Sequence, residues 1–299
     1  MKKYVIITDS CSDLEKDLRE EFDIKYAKNT FSYNEKTYVA DLDWPDLSVK
    51  EFYDIMRNGG RIITSQVNAK EFTEVFEKEL KEGNDILYIG CSSSLSNSYN
   101  GSLLVKEELL KKYPDAKIIC VDSLNACGGL GLLCIRASEL RKEGKSIEEV
   151  ACWLEENKLC VHQEGAVDNL VYLKRAGRVS ALSSFFGGLF NIKPIIISDI
   201  NGKNAVVEKV KGRKNSLKRL VERVIERIVD VEYQRITIVH ADCYEEVVEL
   251  KQMLLEALPN KNIDIRISFI GPIIGSTVGP GMVGIYFYGV KETFDIDKK

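Results

Sequence analysis

DILYIGCSSSLSNSYNGS, residues 85–102, sets a continuous apolar run directly before a cluster of hydroxyl side chains. A short apolar run ending in turn residues fits a strand buried on both faces, the kind found in parallel sheets. YVIIT (4–8) and AKIICV (116–121) read the same way. Helical patterns lie between them. In NAKEFTEVFEKEL (68–80), Phe72, Val75, Phe76 and Leu80 share a face, with Asn68 placed to cap and Glu71 three residues on. SIEEVACWLEEN (146–157) repeats the device with Ser146 and Glu149. Strand, helix and strand at this spacing predict right-handed crossovers and a doubly wound sheet.

The second half reads differently. VDNLVYLKRAGRVSALSSFFGGLFNIKPIIIS (167–198) is rich in Gly and Ser and ends in a strand-like run; Asn201-Gly202 then signals a hairpin. A helix is expected over 216–229, with Leu217, Leu220, Val221, Val224, Ile225 and Ile228 on one face. RITIVH (235–240), YEEVVELKQMLLEAL (244–258), IDIRISFI (263–270) and VGIYFYGV (283–290) complete an α/β module. The expected fold class is α/β with two α/β domains. Residues 1–159 carry an N-terminal parallel doubly wound sheet, and residues 160–299 carry a C-terminal mixed sheet.

Composition narrows the function. Across 299 residues the net charge is −4, which gives no basic footprint for nucleic acid. Eight cysteines without a CxxC pair, and only two histidines, argue against a zinc site, and no metal or cofactor is expected. The start lacks an apolar region followed by a small-residue cleavage site, and no apolar run approaches the roughly 18 residues of a membrane span. The expected location is the cytoplasm, with the thiols reduced and buried.

Small polar residues collect at strand ends: Thr8-Asp9-Ser10, the serine cluster, and Asp122-Ser123. RIITSQVNAKEF (61–72) adds Thr64 and Ser65 just before a helix. Singly, such residues are helix caps. Together, at the edge where open α/β sheets bind ligands, they form a site for an anionic head group. A nucleophile elbow would need a second glycine after GCS, and the two candidate bases, His162 and His240, sit in or just after apolar runs. GPGMVG (279–284) matches GxGxxG but runs into a strand; its glycines are expected to let the backbone pass close to a ligand or to the other domain. Arg178, in LKRAGRVS, is expected to face the interdomain region, and KVKGRKNSLKR (209–219) to form a solvated turn and helix start. Phe185, Phe186, Leu189 and Phe190 are too many large apolar groups for an exposed loop, and are expected in the core or lining a greasy cavity. A hydroxyl rim on an apolar interior suits a long amphiphilic acid. The alternatives are a serine-dependent hydrolase or phosphotransferase, and a kinase-docking adaptor whose lipid is only structural.

Seven stretches carry a family likeness in order along the chain: ITDSCSDL (7–14), TSQVNAKEF (64–72), SSSLSNSYNGS (92–102), VDSLNACGGLGLL (121–133), LVYLKRAGRVS (170–180), NIKPII (191–196) and IGSTVGPG (274–281). With them the chain resembles the DegV family, bacterial fatty-acid-binding proteins that include the acyl-carrying subunit of fatty acid kinase. The resemblance implies a non-enzymatic protein with one long-chain fatty acid buried between two domains and a fatty acid kinase as partner. It places the carboxylate on Thr64 of the TSQ motif and Ser96 of the LSG motif, with Ser65 beside them, and puts the arginine of the GGR motif at Arg178. Three positions depart from the family pattern. Asn97 replaces the glycine of LSG, Ala176 replaces the first glycine of GGR, and Thr277 stands where a histidine usually precedes the GPG turn.

Overall fold

A computed structural model describes residues 3–180 and 191–298. The first half runs β1 (Tyr4–Asp9), α1 (Lys16–Glu21), β2 (Ile24–Ala27), β3 (Thr30–Tyr33), β4 (Lys36–Val39), α2 (Val49–Arg57) and β5 (Ile63–Ser65). It continues through α3 (Ala69–Lys81), β6 (Asp85–Gly90), α4 (Ser98–Lys112), β7 (Ile118–Asp122), α5 (Cys127–Lys142) and α6 (Ile147–Asn157). The three apolar runs become β1, β6 and β7, and with β2 they form a wholly parallel sheet in the order β2-β1-β6-β7. All six residues of β1 and of β6 are buried, which is why neither alternates. A small antiparallel sheet, β4-β3-β5, stands apart from it; its short, mixed strands carry no clear period in the sequence.

The second half runs β8 (Val161–Ala166), α7 (Leu170–Ala176), β9 (Val179–Ser180), β10 (Ile192–Ser198), β11 (Asn204–Lys211), α8 (Arg213–Arg227) and β12 (Arg235–His240). It closes with α9 (Tyr244–Ala257), β13 (Asp264–Phe269), α10 (Pro272–Val278) and β14 (Val283–Tyr288). Its strands form one mixed sheet in the order β13-β12-β14-β8-β10-β11-β9. The hairpin falls where Asn201-Gly202 places it, with Gly202 at φ +70° between β10 and β11. Phe185, Phe186, Leu189 and Phe190 lie outside the described residues.

Helix α5 joins the halves. It packs on β1 and β6 on one side and on β8, β12 and β14 on the other. Its glycines allow that approach. A methyl at Gly128 would meet the Tyr286 ring at 2.7 Å, and one at Gly131 would meet Leu14 at 3.1 Å.

Several local expectations need correction. Asn68 does accept from the Glu71 amide, but the Glu71 carboxylate accepts from the Lys28 amide rather than closing a capping box. Ser146 and Glu149 form the complete box. Helix α8 begins at Arg213, three residues early, and ends at Arg227, two short of 229; Ile228 therefore falls outside it, and Ile225 is exposed rather than buried. Within the basic stretch, Arg213 and Arg219 are engaged rather than solvated. They pair with Glu246 and Glu208 at 2.7 and 2.8 Å.

Candidate functional site

The hydroxyl cluster after β6 divides its labour. Ser92 Oγ donates to the Gly202 carbonyl (2.8 Å) and Ser94 Oγ to the Asn201 carbonyl (2.6 Å), so both hold the tip of the β10–β11 hairpin. Ser96 and Ser98 form a separate pair 2.9 Å apart. Ser98 is fully buried, and its oxygen already accepts from the Val67 amide. A hydroxyl carries one proton, and among the described residues the only acceptor for that of Ser98 is Ser96 Oγ. Ser96 also accepts from the Ser98 amide, so its own proton is left for the cavity beside it. Ser98, invisible as a functional residue in the sequence, orients Ser96.

The other strand-end groups are turn makers. Asp9 accepts from the Cys11 and Cys91 amides and the Tyr88 hydroxyl, Ser10 donates to the Ala40 carbonyl, and Ser123 donates to the Asn125 carbonyl. The helix-cap reading holds for Asp9, which caps the short turn Ser10–Ser12, but not for Ser10 or Ser123, whose hydroxyls cap no helix.

A cavity of about 500 Å³ opens at the junction of the sheets. Thr64, Ser65, Ser96, Arg178 and Thr277, spread from one half of the sequence to the other, all line it. Thr64 and Ser65 arrive on β5 rather than on a helix start, and they are placed by the pairing of β5 with β3. Thr277 arrives on α10, where among the described residues its hydroxyl makes only a long contact of 3.5 Å back to the Ile273 carbonyl. Arg178 is exposed at the edge, where its guanidinium donates to the Ala176 carbonyl. Among the described residues no carboxylate pairs with it, so its charge stands unneutralised beside the hydroxyls. Leu95, Ile196, Ile273, Ile274, Val278 and Met282 supply apolar wall.

Neither His162 nor His240 is among the lining residues. His162 Nε2 contacts the Val290 carbonyl just past the end of β14, and His240 Nδ1 accepts from the Cys243 amide. Burial holds the His240 imidazole down to about 4, so it is neutral. The serines therefore have no imidazole base within the cavity. The GPG glycines do not line it either. A methyl at Gly279 would strike the Tyr172 ring and one at Gly281 would meet Asp168, so these glycines admit α7 and its leading loop.

Sequence reading missed further lining groups: Asn29, Gln163, Asn204, Tyr286, and the thiols of Cys11, Cys91 and Cys127. Gln163 sits between the equally buried polar residues His162 and Glu164, so nothing local marks it as a lining group. Behind Cys127 lies Asp13, only 7% exposed, with no well-formed hydrogen bond to either carboxylate oxygen among the described residues. Burial pushes its carboxyl up to about 7, with the nearby Cys127 thiol and Gly271 amide pulling the other way.

Among the described residues no helix is long and apolar enough to cross a membrane, and no group of three or more His, Cys, Asp or Glu is placed to hold a metal ion.

Known proteins share this fold. Residues 3–290 match the family model described as "Uncharacterised protein, DegV family". A DegV domain-containing protein of Clostridium perfringens is 43% identical, the match covering 97% of this chain and 98% of the relative. One from Clostridium acetobutylicum is 33% identical, covering 96% and 98%. Among solved structures, a DegV lipid-binding protein of Thermotoga maritima superposes with a TM-score of 0.84 at 29% identity, over 97% of this chain and 100% of that one. DegV of Bacillus subtilis, described as a fatty acid binding protein, gives 0.82 at 26% identity over the same shares. A DegV family protein of Thermus thermophilus, described by its fatty acid binding, gives 0.85 at 25%, again over 97% and 100%. The chain belongs to the DegV family.

Proposed function

We propose that this protein binds a long-chain fatty acid in the cavity at the junction of its sheets, and that residues 1–159 and 160–299 act as two domains closing around it. The carrying observation is convergence: the hydroxyls of Thr64, Ser65, Ser96 and Thr277 and the guanidinium of Arg178, which no carboxylate among the described residues pairs, line one cavity that also has an apolar wall. Fatty acid binding by the Bacillus subtilis and Thermus thermophilus relatives supports the same reading.

The energetics favour the chain over the head. Each buried methylene contributes about 0.8 kcal/mol, so a dozen give roughly 10 kcal/mol before ordering costs. A hydrogen bond to the charged head adds about 1.5–3 kcal/mol. Chain burial therefore sets affinity, and the hydroxyls set orientation. A carboxylate held at the cavity edge is accessible to a second protein. On this reading the protein is a carrier in the cytoplasm rather than an enzyme, and it presents the acid to a fatty acid kinase for phosphorylation. Thr277 supplies a neutral hydroxyl where the family resemblance puts an imidazole.

Titration of lipid-stripped protein with stearic acid tests the binding. One saturable site per chain is expected. Absence of saturable binding overturns the reading.

A further inference from the structure

The second-sheet wall of the cavity is polar where hydrocarbon alone would want apolar side chains. Gln163 on β8, Asn204 at the start of β11 and Tyr286 on β14 line it, at 6%, 9% and 2% exposure. Tyr286 donates to Gln163 Oε1 (3.3 Å), and Gln163 Nε2 donates to Asn204 Oδ1 (3.0 Å). This chain of bonds fixes both amides with their oxygens occupied. Each primary amide carries two N–H groups. Among the described residues, one N–H of Gln163 and both of Asn204 have no acceptor, and the Asn204 nitrogen, though unpartnered, is not sealed from the cavity space. They therefore border the cavity with donor capacity to spare.

A plain acyl chain laid against these amides would strip water from N–H groups and return no hydrogen bond, which costs free energy. An oxygen on the ligand would accept from them. With the carboxylate on the hydroxyls of β5, the loop before α4 and α10, the amides of the second sheet are left for a further oxygen on the ligand. We infer that the preferred ligand is a fatty acid carrying a hydroxyl or oxo oxygen along its chain, accepted by Gln163 and Asn204. The inference rests on the fatty acid reading and narrows it to a substrate class.

Lipid-stripped wild-type protein should be titrated with stearic acid and with hydroxystearic and oxostearic acids whose oxygen is moved along the chain. At least one positional isomer should bind about tenfold more tightly than stearic acid, the worth of one added hydrogen bond. The hydroxy and oxo arms show whether the ligand oxygen must also donate. Asn204→Leu and Gln163→Leu should each remove the preference. If stearic acid binds and no isomer exceeds it, or if the preference survives both substitutions, the inference is overturned while the fatty acid reading stands. If no acid binds, both fall.

Discussion

Ser92 Oγ donates to the Gly202 carbonyl at 2.8 Å, across 110 residues of sequence, and fastens the β10–β11 hairpin tip onto the loop after β6. The contact has no slack. A methyl on Gly202 would sit 2.3 Å from Ser92 Oγ and 2.9 Å from Leu124 Cα, and Gly202 has φ +70°, which side chains rarely adopt. Gly202→Ala is therefore expected to destabilise the protein by about 1–3 kcal/mol. Thermal denaturation should show a midpoint several degrees lower. An unchanged midpoint would mean the hairpin does not dock there.

Asp13 makes stability depend on pH. Its carboxyl titrates near 7 in the folded protein against an ordinary value of 3.8. Between those values the folded state holds a proton that the unfolded state has released, so stability falls as pH rises from about 4 to about 7 and levels off above. The slope should approach 1.4 kcal/mol per pH unit at most. Asp13→Asn should remove this component. Denaturant melts of both proteins across that range check it, and parallel pH profiles would contradict it.

Ser98 acts through Ser96. Ser98→Ala strands the Val67 amide and lets the Ser96 proton turn away from the cavity. A stability loss of about 1–3 kcal/mol is expected, together with weaker fatty acid binding. Ser96→Ala should weaken binding while leaving the Val67 bond in place, and the two effects separate in paired denaturation and titration experiments.

Thr64→Val keeps the shape of β5 and removes one hydroxyl. Its effect on stearic acid affinity should be modest, near tenfold, because burial of the chain dominates. Arg178→Ala should also weaken binding, and by less as salt rises, because an exposed charge is screened. A salt-independent loss would mean that Arg178 acts by packing.

The legible part of the structure is the part set by local pattern. The apolar runs of β1, β6 and β7, the Ser146–Glu149 box and the Asn201-Gly202 turn each announce themselves within a few residues. Thr64, Ser65, Ser96, Arg178 and Thr277 were legible as a set only through the family resemblance, and they do line one cavity. What could not be read depends on distant partners. Nothing near Ser92 or Ser94 says that a hairpin tip will take up their hydroxyls. Nothing in CGGLG says that a second sheet will press on Gly128 through Tyr286. The Gln163–Asn204–Tyr286 chain joins three strands and has no local signature.

A crystal structure of the lipid-stripped protein reloaded with stearic acid tests the central claim most directly. The account predicts a single acyl chain inside the cavity, its carboxylate within hydrogen-bonding distance of Thr64 and Ser96. A chain bound elsewhere, or a carboxylate facing away from both hydroxyls, would contradict it.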